Sequence, residues 1–444
     1  MAAPVSVRPT TESFLSALSV LKPEKYPDLI ERYPGQLMPR FIMMMELAKR
    51  QLPTGNPTYS HYETNRDYPV VQSLAAYNAG GAGQSITITL ATASHDADGY
   101  APIQAGMTVV FKDGNTGYVD SVTPTLGAYV MVVFPHDVTV TLSVGINEYI
   151  VWVANQYAEG TGQPNGLTGS VTEFSNNTQI IKAAYEITGS ANTDILWFKY
   201  GGKDWWTYKG ETDTQLRFKM NQEFTLLLQQ ENTNTANITI ANAGYNTRGL
   251  IPDVSQNGIN LPHAIGNVNI PFFDNLSDAI KKQFGAREYM LYCGLKARQD
   301  VENFITNTMT NGAIVYGSFN GSSDLAIKMG FRSFEKSGYT FHLTTADIFS
   351  DPQTLGAPGF NYENLMLGMP MDNGKDPRTG SVIPSIAMRY KERSGYSRLN
   401  EIWFTGSAGV AVPTNQTDNY VANYRCEVGL ETFGINRFFL SEGV

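Results

Sequence analysis

Residues Asp213 to Gln230 constrain this chain more than any other stretch. Leu216, Met220, Phe224 and Leu227 recur there at helical spacing, and Arg217, Lys219, Gln222, Glu223, Gln229 and Gln230 fill the other sides. At about 1.5 Å per residue, the pattern predicts a rod of about 27 Å. It follows a strand-rich region and precedes a mixed helix–strand half. A rod that long, fed by extended segments, suits a building block better than a small-molecule catalyst, although an ordinary core helix carries the same spacing.

Composition narrows the class. The chain has 444 residues, enough for two to four structural units. Hydrophobic residues make up 42%, sufficient for a sizeable core, but charged residues are only 16%, below the usual quarter of a soluble domain. Asn, Thr, Ser, Gln and Gly must supply the polar surface. Such groups need hydrogen bonds but no counter-ions when a neighbour covers them, so the balance favours extensive protein–protein contact. Net charge is −9, and Lys and Arg form no stripe of the kind that grips phosphate backbones. Cys293 and Cys426 lie far apart, which suits two buried thiols better than a metal knuckle or disulfide framework. The opening MAAPVSVRPTTES lacks a signal-type apolar stretch, and no run of about 18 apolar residues predicts a membrane span.

Along the chain, residues 1–52 read as an arm. Glu12 to Leu21 and Phe41 to Arg50 are short helix candidates, separated by Pro23, Pro27, Pro34 and Pro39. Such a segment has no core of its own and must lie across the rest of the chain or another copy. Residues 53–75 and 170–188 read as a long antiparallel pair. Between them, runs at 85–91, 107–111, 118–122, 128–134, 138–144 and 149–153 predict a compact β-barrel or sandwich. After the helix, Ser277 is a candidate cap for a short helix reaching Phe284. Residues 288–293 read as a strand and 295–309 as a helix. Further strands are expected at 313–319, 325–332, 340–345, 383–390, 400–406 and 419–433. The Pro-, Gly- and Asn-rich stretch 351–380 reads as a surface loop.

No residue pattern assembles a reactive centre. His61, His95, His136, His263 and His342 lack metal-ligand spacing. Phosphate-loop, dinucleotide and nucleophile-elbow signatures are absent. Asp96, Asp98 and Gly99, and Asp113, Asn115 and Gly117, resemble fragments of a calcium loop but are explained by turn chemistry. Glu173 and Glu186 would form an acid–base pair only if they met. Along one continuous strand they would sit about 43 Å apart. No catalytic, cofactor-binding or metal residue is therefore assigned.

Four segments carry a family resemblance: SerValThrGluPheSerAsnAsnThrGlnIleIleLys at 170–182, the helix at 211–232, GluTyrMetLeuTyrCysGly at 288–294, and TyrArgCysGluValGlyLeuGluThrPheGlyIleAsn at 424–436. In this order the chain resembles major capsid proteins of tailed bacteriophages with the Hong Kong 97-type fold, and it is similar to those of crAss-like phages. The resemblance implies an α+β fold. Its parts would be an N-terminal arm, 1–52; an extended loop of two long strands, 53–79 and 158–200; a small all-β domain inserted in that loop, 80–157; a peripheral domain, 201–250 and 381–444, with a spine helix at 211–232; and an axial domain, 251–380. It implies no enzyme and no cofactor, but a virion protein that assembles with itself, as pentamers and hexamers, into an icosahedral shell in the bacterial host cytoplasm. That shell would enclose double-stranded DNA without reading its sequence. Portal, scaffolding and auxiliary capsid proteins are implied partners, with scaffolding supplied by a separate protein or by a removed segment, and no membrane is involved. A tail or receptor-binding protein and a β-rich glycan hydrolase are the competing readings.

Overall fold

The computed structural model describes residues 39–64, 70–95, 100–164, 166, 171–193, 195–200, 203–310, 333–371, 374–375, 382–410 and 412–444. The candidate helix at 12–21, the Asp96–Gly99 turn and the strands expected at 313–319 and 325–332 lie outside the described residues. The chain divides into two compact units. One is residues 61–174, and the other joins the segments on either side, up to Ser60 and from Ser175 onward.

The unit of residues 61–174 is built on one six-stranded sheet. Its strand order is Val71–Gln72, Tyr149–Asn155, Met107–Val110, Thr116–Thr125, Ala128–Pro135 and Ile86–Thr89. Strict alternation explains it. Ile86, Ile88, Val109, Val119, Met131, Val133 and Ile150 point to one shared core while their chain neighbours face outward. The strand expected at 138–144 shrinks to Ser143–Val144. Asp137 is the reason: its carboxylate accepts from the Thr139 amide at 2.8 Å and the Thr139 hydroxyl at 2.7 Å, fixing a turn where a strand would run.

The other unit holds two six-stranded sheets and the long helix. In the first sheet, strands Gln51–Thr54, Ile386–Arg393, Asn419–Thr432 and Gln179–Thr188 lie side by side, and Glu401–Gly406 also pairs with Asn419–Thr432. The expected pairing of 53–75 with 170–188 is corrected here. Only Thr58–Thr64 and Val171–Asn177 form a two-stranded ribbon. Gln179–Thr188 turns instead into the first sheet, antiparallel to Asn419–Thr432 over ten residues. Val71–Gln72 belongs to the sheet of the smaller unit. The unit of residues 61–174 is therefore wider than the expected limits of 80 and 157.

The second sheet orders Ile259–Asn260, Phe439–Glu442, Leu365–Pro370, Glu288–Cys293, Tyr339–Thr345 and Ser333–Lys336. Phe273 is fully buried over it, with the rings of Phe272, Phe304, Phe334 and Phe341 between 5.1 and 5.8 Å away. Two expectations fail here. Leu365–Pro370, read as part of a surface loop, is buried along its whole length. Gly368 makes this possible, because a Cβ there would stand 2.0 Å from the Phe439 ring. The last strand, Phe439–Glu442, joins this sheet and not the first. The helix Ile270–Lys282 also starts earlier than expected. Asn269 caps it by accepting from the Phe272 amide at 3.0 Å, and Ser277 sits inside it, donating to the Phe273 carbonyl.

The long helix runs Trp206–Leu228. It stops before 232 because the Asn246 side chain donates to the Gln230 carbonyl at 2.6 Å and accepts from the Asn232 amide at 3.1 Å, drawing the chain aside. Its buried residues include Phe218, Met220, Leu226 and Leu227, but also Thr214, Gln222, Glu223 and Thr225. Gln222 and Glu223, read as lying off the apolar stripe, are inside, and Phe224 is only half-buried. The helix is covered on more than one side, so polar residues serve as internal contacts. Introducing a charge at Leu226 (Leu226→Asp) is expected to prevent cooperative folding, because the ion would be buried unpaired. Phe224→Asp is expected to lower the thermal midpoint by much less. Equal melting of the two variants would contradict this register.

Candidate assembly and docking interfaces

The arm helix Arg40–Leu47 docks through Phe41, Ile42 and Met45, all buried. Its first turn meets Glu223 on the long helix. Glu223 Oε2 accepts from the Phe41 amide at 3.1 Å and the Ile42 amide at 3.5 Å, while Oε1 accepts from the Tyr292 hydroxyl at 3.4 Å. Helix amides without internal partners thus find an acceptor, and the positive end of the helix dipole faces a carboxyl group. Tyr292 lies in the second sheet, so three elements meet at one side chain. Glu223 is 0% exposed. Burial pushes its carboxyl up to about 7, against the pull of the two amides, Tyr292 and Arg40. At the rim, Arg40 pairs with Asp347 at 2.6 Å.

A second cluster fixes the root of the ribbon. Asn176 Nδ2 donates to the Arg248 carbonyl at 2.9 Å and the Leu430 carbonyl at 2.8 Å, and its Oδ1 accepts from the Arg248 amide at 2.8 Å. Tyr59 Oη donates to the same Leu430 carbonyl at 2.7 Å. The Thr178 amide donates to the Pro57 carbonyl at 2.7 Å, and its hydroxyl reaches Glu427 at 3.1 Å. Gly429 is required beside them, since a Cβ would lie 2.5 Å from both the Asn177 carbonyl oxygen and Tyr59 Oη. The AsnAsnThrGln motif therefore works by tying extended backbone to the first sheet.

One face of the first sheet carries an ion-pair ladder. Arg389 pairs with Glu431, and Glu427 pairs with Arg398 and, at 3.5 Å, with Lys391. Glu401 pairs with Arg425 at 2.5 Å, and the Arg425 guanidinium lies 4.9 Å from the Trp403 ring centre. Glu427 and Glu431 are buried, so losing a cation would leave an uncompensated charge. Next to the ladder, Ile402, Trp403 and Phe404 on strand Glu401–Gly406 are substantially exposed in the single chain. Consecutive apolar residues on a sheet-edge strand are a ready surface for another chain.

The residues weighed for chemistry are dispersed. His61 contacts Glu63 at 3.1 Å, His136 contacts Thr116 and Gln156, and His263 contacts Ser441 at 2.8 Å. Asp113 accepts from the Asn115 amide at 3.0 Å, a turn contact. Glu186 accepts from Asn419 at 2.6 Å, and Glu173 lies on a different strand in the other unit. Cys293 and Cys426 are buried, and burial pushes both thiols up to about 12. Among the described residues no group of three or more His, Cys, Asp or Glu side chains is arranged to hold a metal, and no helix is long and apolar enough to cross a membrane.

A family model described as SU10 major capsid protein matches residues 42–322. No curated protein sequence matches the chain. Among solved structures, one from Microbacterium phage Oxtober96 is 9% identical, with 97% of this chain and 98% of that one covered, at a TM-score of 0.45. One from Mycobacterium phage Bobi is 10% identical, with 97% and 98% covered and a TM-score of 0.43. A third, described as the capsid of a native GTA particle, is 7% identical, with 96% of each chain covered and a TM-score of 0.42.

Asn176→Ala removes a partner from four backbone groups at once, the Arg248 amide and carbonyl, the Leu430 carbonyl and the Asn177 amide, and is expected to destabilise the chain by about 1–3 kcal/mol, read as a lower urea midpoint. Asn176→Asp keeps the acceptor for the Arg248 amide but sets a carboxylate oxygen against the Arg248 and Leu430 carbonyls, and should lose at least as much. An unchanged midpoint for the alanine variant would remove Asn176 from the ribbon root.

Proposed function

The chain belongs to the SU10 major capsid protein family, and from that premise we propose that it closes into the icosahedral shell of a tailed bacteriophage, with copies grouped as pentamers and hexamers around double-stranded DNA. A structural, shell-forming role follows from the family itself. The match over residues 42–322 carries this reading, because it spans the arm helix, the inserted unit, the long helix and the start of the second sheet. In the proposed Hong Kong 97-type scheme, the first sheet and long helix form the peripheral part and the second sheet the axial part. The ribbon and the residues before Pro39 reach neighbouring subunits.

Surface chemistry supports that scheme. A chain with 16% charged residues desolvates at modest cost, and the exposed Ile402, Trp403 and Phe404 offer apolar area to a second copy. With net charge −9, the protein would surround DNA without gripping it. Assembly would take place in the host cytoplasm, with portal, scaffolding and auxiliary proteins as partners and without enzymatic activity of its own.

Negative-stain microscopy of the concentrated protein, alone and with its scaffolding partner, is expected to show closed shells of uniform size. A monomer under both conditions would overturn the reading. Deleting residues 1–38 spares the docked arm helix and is expected to leave a soluble chain that no longer closes into shells. Normal particles from that truncation would refute a bridging role for the arm.

A further inference from the structure

We propose that Glu427 is a latch for the ribbon root: aimed by Arg398 and Lys391, its buried carboxylate holds Thr178 and keeps the end of strand Val171–Asn177 on the first sheet. When this one contact is lost, the root opens while the sheet beneath it stays closed. The latch lies within one chain and does not depend on copies assembling.

The strand pattern makes the seat. Along Asn419–Thr432 side chains alternate between faces, so Glu427, Gly429 and Glu431 point the same way, each about 7 Å from the next. Gly429 is the low point between two acids. A Cβ there would lie 2.5 Å from the Asn177 carbonyl oxygen and from Tyr59 Oη, so both strands of the ribbon come down onto the sheet at this residue. Glu427 and Glu431 stand on either side of it, both buried. On the Glu431 side, Arg389 pairs with the acid, donates from Nη1 to the Pro53 carbonyl at 3.4 Å and sets its guanidinium carbon 5.9 Å from the Tyr59 ring centre.

On the other side, Glu427 Oε2 pairs with Arg398, and Oε1 lies 3.5 Å from Lys391 Nζ and accepts from the Thr178 hydroxyl at 3.1 Å. Arg398 is fixed by its own backbone. Its amide donates to the Lys391 carbonyl at 2.9 Å, and its carbonyl accepts from the Glu427 amide at 2.8 Å. The guanidinium therefore aims the carboxylate, and Arg398 is a positioning residue for Thr178. Thr178 is buried, and without the carboxylate its hydroxyl would keep only the Pro57 carbonyl, at 3.3 Å. A hydrogen bond to a charged acceptor is roughly twice as strong as a neutral one. The latch is separate from the pairing of the two ribbon strands, because the Thr178 amide reaches the Pro57 carbonyl at 2.7 Å without using the side chain.

Hydrogen exchange on the full-length chain, corrected for intrinsic rates, reads the root through the amides of residues 58–60 and 175–178. Thr178→Val removes the hydroxyl and keeps the shape of the side chain. Exchange at those amides is expected to rise about tenfold or more, while the amides of Asn419–Thr432 hold their protection. Thr178→Ser keeps the hydroxyl and should exchange like the wild type. Arg398→Lys keeps a charge but loses the fixed fork, so it should also speed exchange at the root. Added to Thr178→Val it should speed it no further. The threonine variants carry the test if Arg398→Lys does not fold. Unchanged root exchange in Thr178→Val, a rise in Thr178→Ser equal to that in Thr178→Val, additive effects in the double variant, or a parallel loss of protection in Asn419–Thr432 would each overturn the proposal.

Discussion

Closing a carboxyl group at the point where three elements meet makes the larger unit one body. Without Glu223, the arm helix would rest on the long helix by apolar contact alone, and its first-turn amides would be buried without acceptors. An eight-residue helix is too short to persist unaided in water. Its order comes from this seat, from Phe41, Ile42 and Met45 beneath it, and from Arg40 at the rim. The same carboxyl reaches the second sheet through Tyr292. The long helix therefore coordinates its neighbours with polar side chains as well as packing against them.

A similar economy governs the first sheet. Strand Asn419–Thr432 turns Ala422, Tyr424, Cys426, Val428 and Leu430 inward and carries Arg425, Glu427 and Glu431 on its opposite face. The carboxylates meet Arg389, Lys391 and Arg398 from neighbouring strands and loops. Within this ladder the buried carboxylates of Glu427 and Glu431 are each matched by a cation. Where amides, hydroxyls and exposed apolar residues make up the surface, a neighbour can cover them without stranding an ion.

What could be read from the residues was periodicity. Strands Ile86–Thr89, Met107–Val110 and Ala128–Pro135 were legible because one side of each faces a core. The helix at 295–310 was legible because Val301 recurs with Phe304 and Ile305. Partner choice was not legible. The alternation of Ile181, Ala183, Tyr185 and Ile187 marks a half-buried strand, but nothing local says that it pairs with Asn419–Thr432 instead of with residues before Gln72. Leu365–Pro370 was hidden by the Gly, Pro and Asn around it, and its Gly368 signals close packing only once Phe439 is seen above it. Glu223 reads only as a residue off the apolar stripe, since a single polar side chain on an amphipathic helix looks the same whether it meets water or an incoming helix. The AsnAsnThrGln motif stood out by family resemblance, yet its work depends on Arg248 and Leu430, which lie 72 and 254 residues from Asn176.

The ribbon shows why a fixed root matters. Most of the residues of Thr58–Thr64 and Val171–Asn177 are exposed or only partly covered, with Tyr62 at 68% and Val171 at 57%. Two strands alone are marginal in water, so this ribbon draws little stability from itself. It is held at one end, where Asn176, Tyr59 and Thr178 tie it to the sheet and Gly429 lets the backbones approach. A clamp at the base costs the chain few residues and orders the strands that leave it. The ribbon's exposed Tyr62 and Val171 are not covered within the single chain.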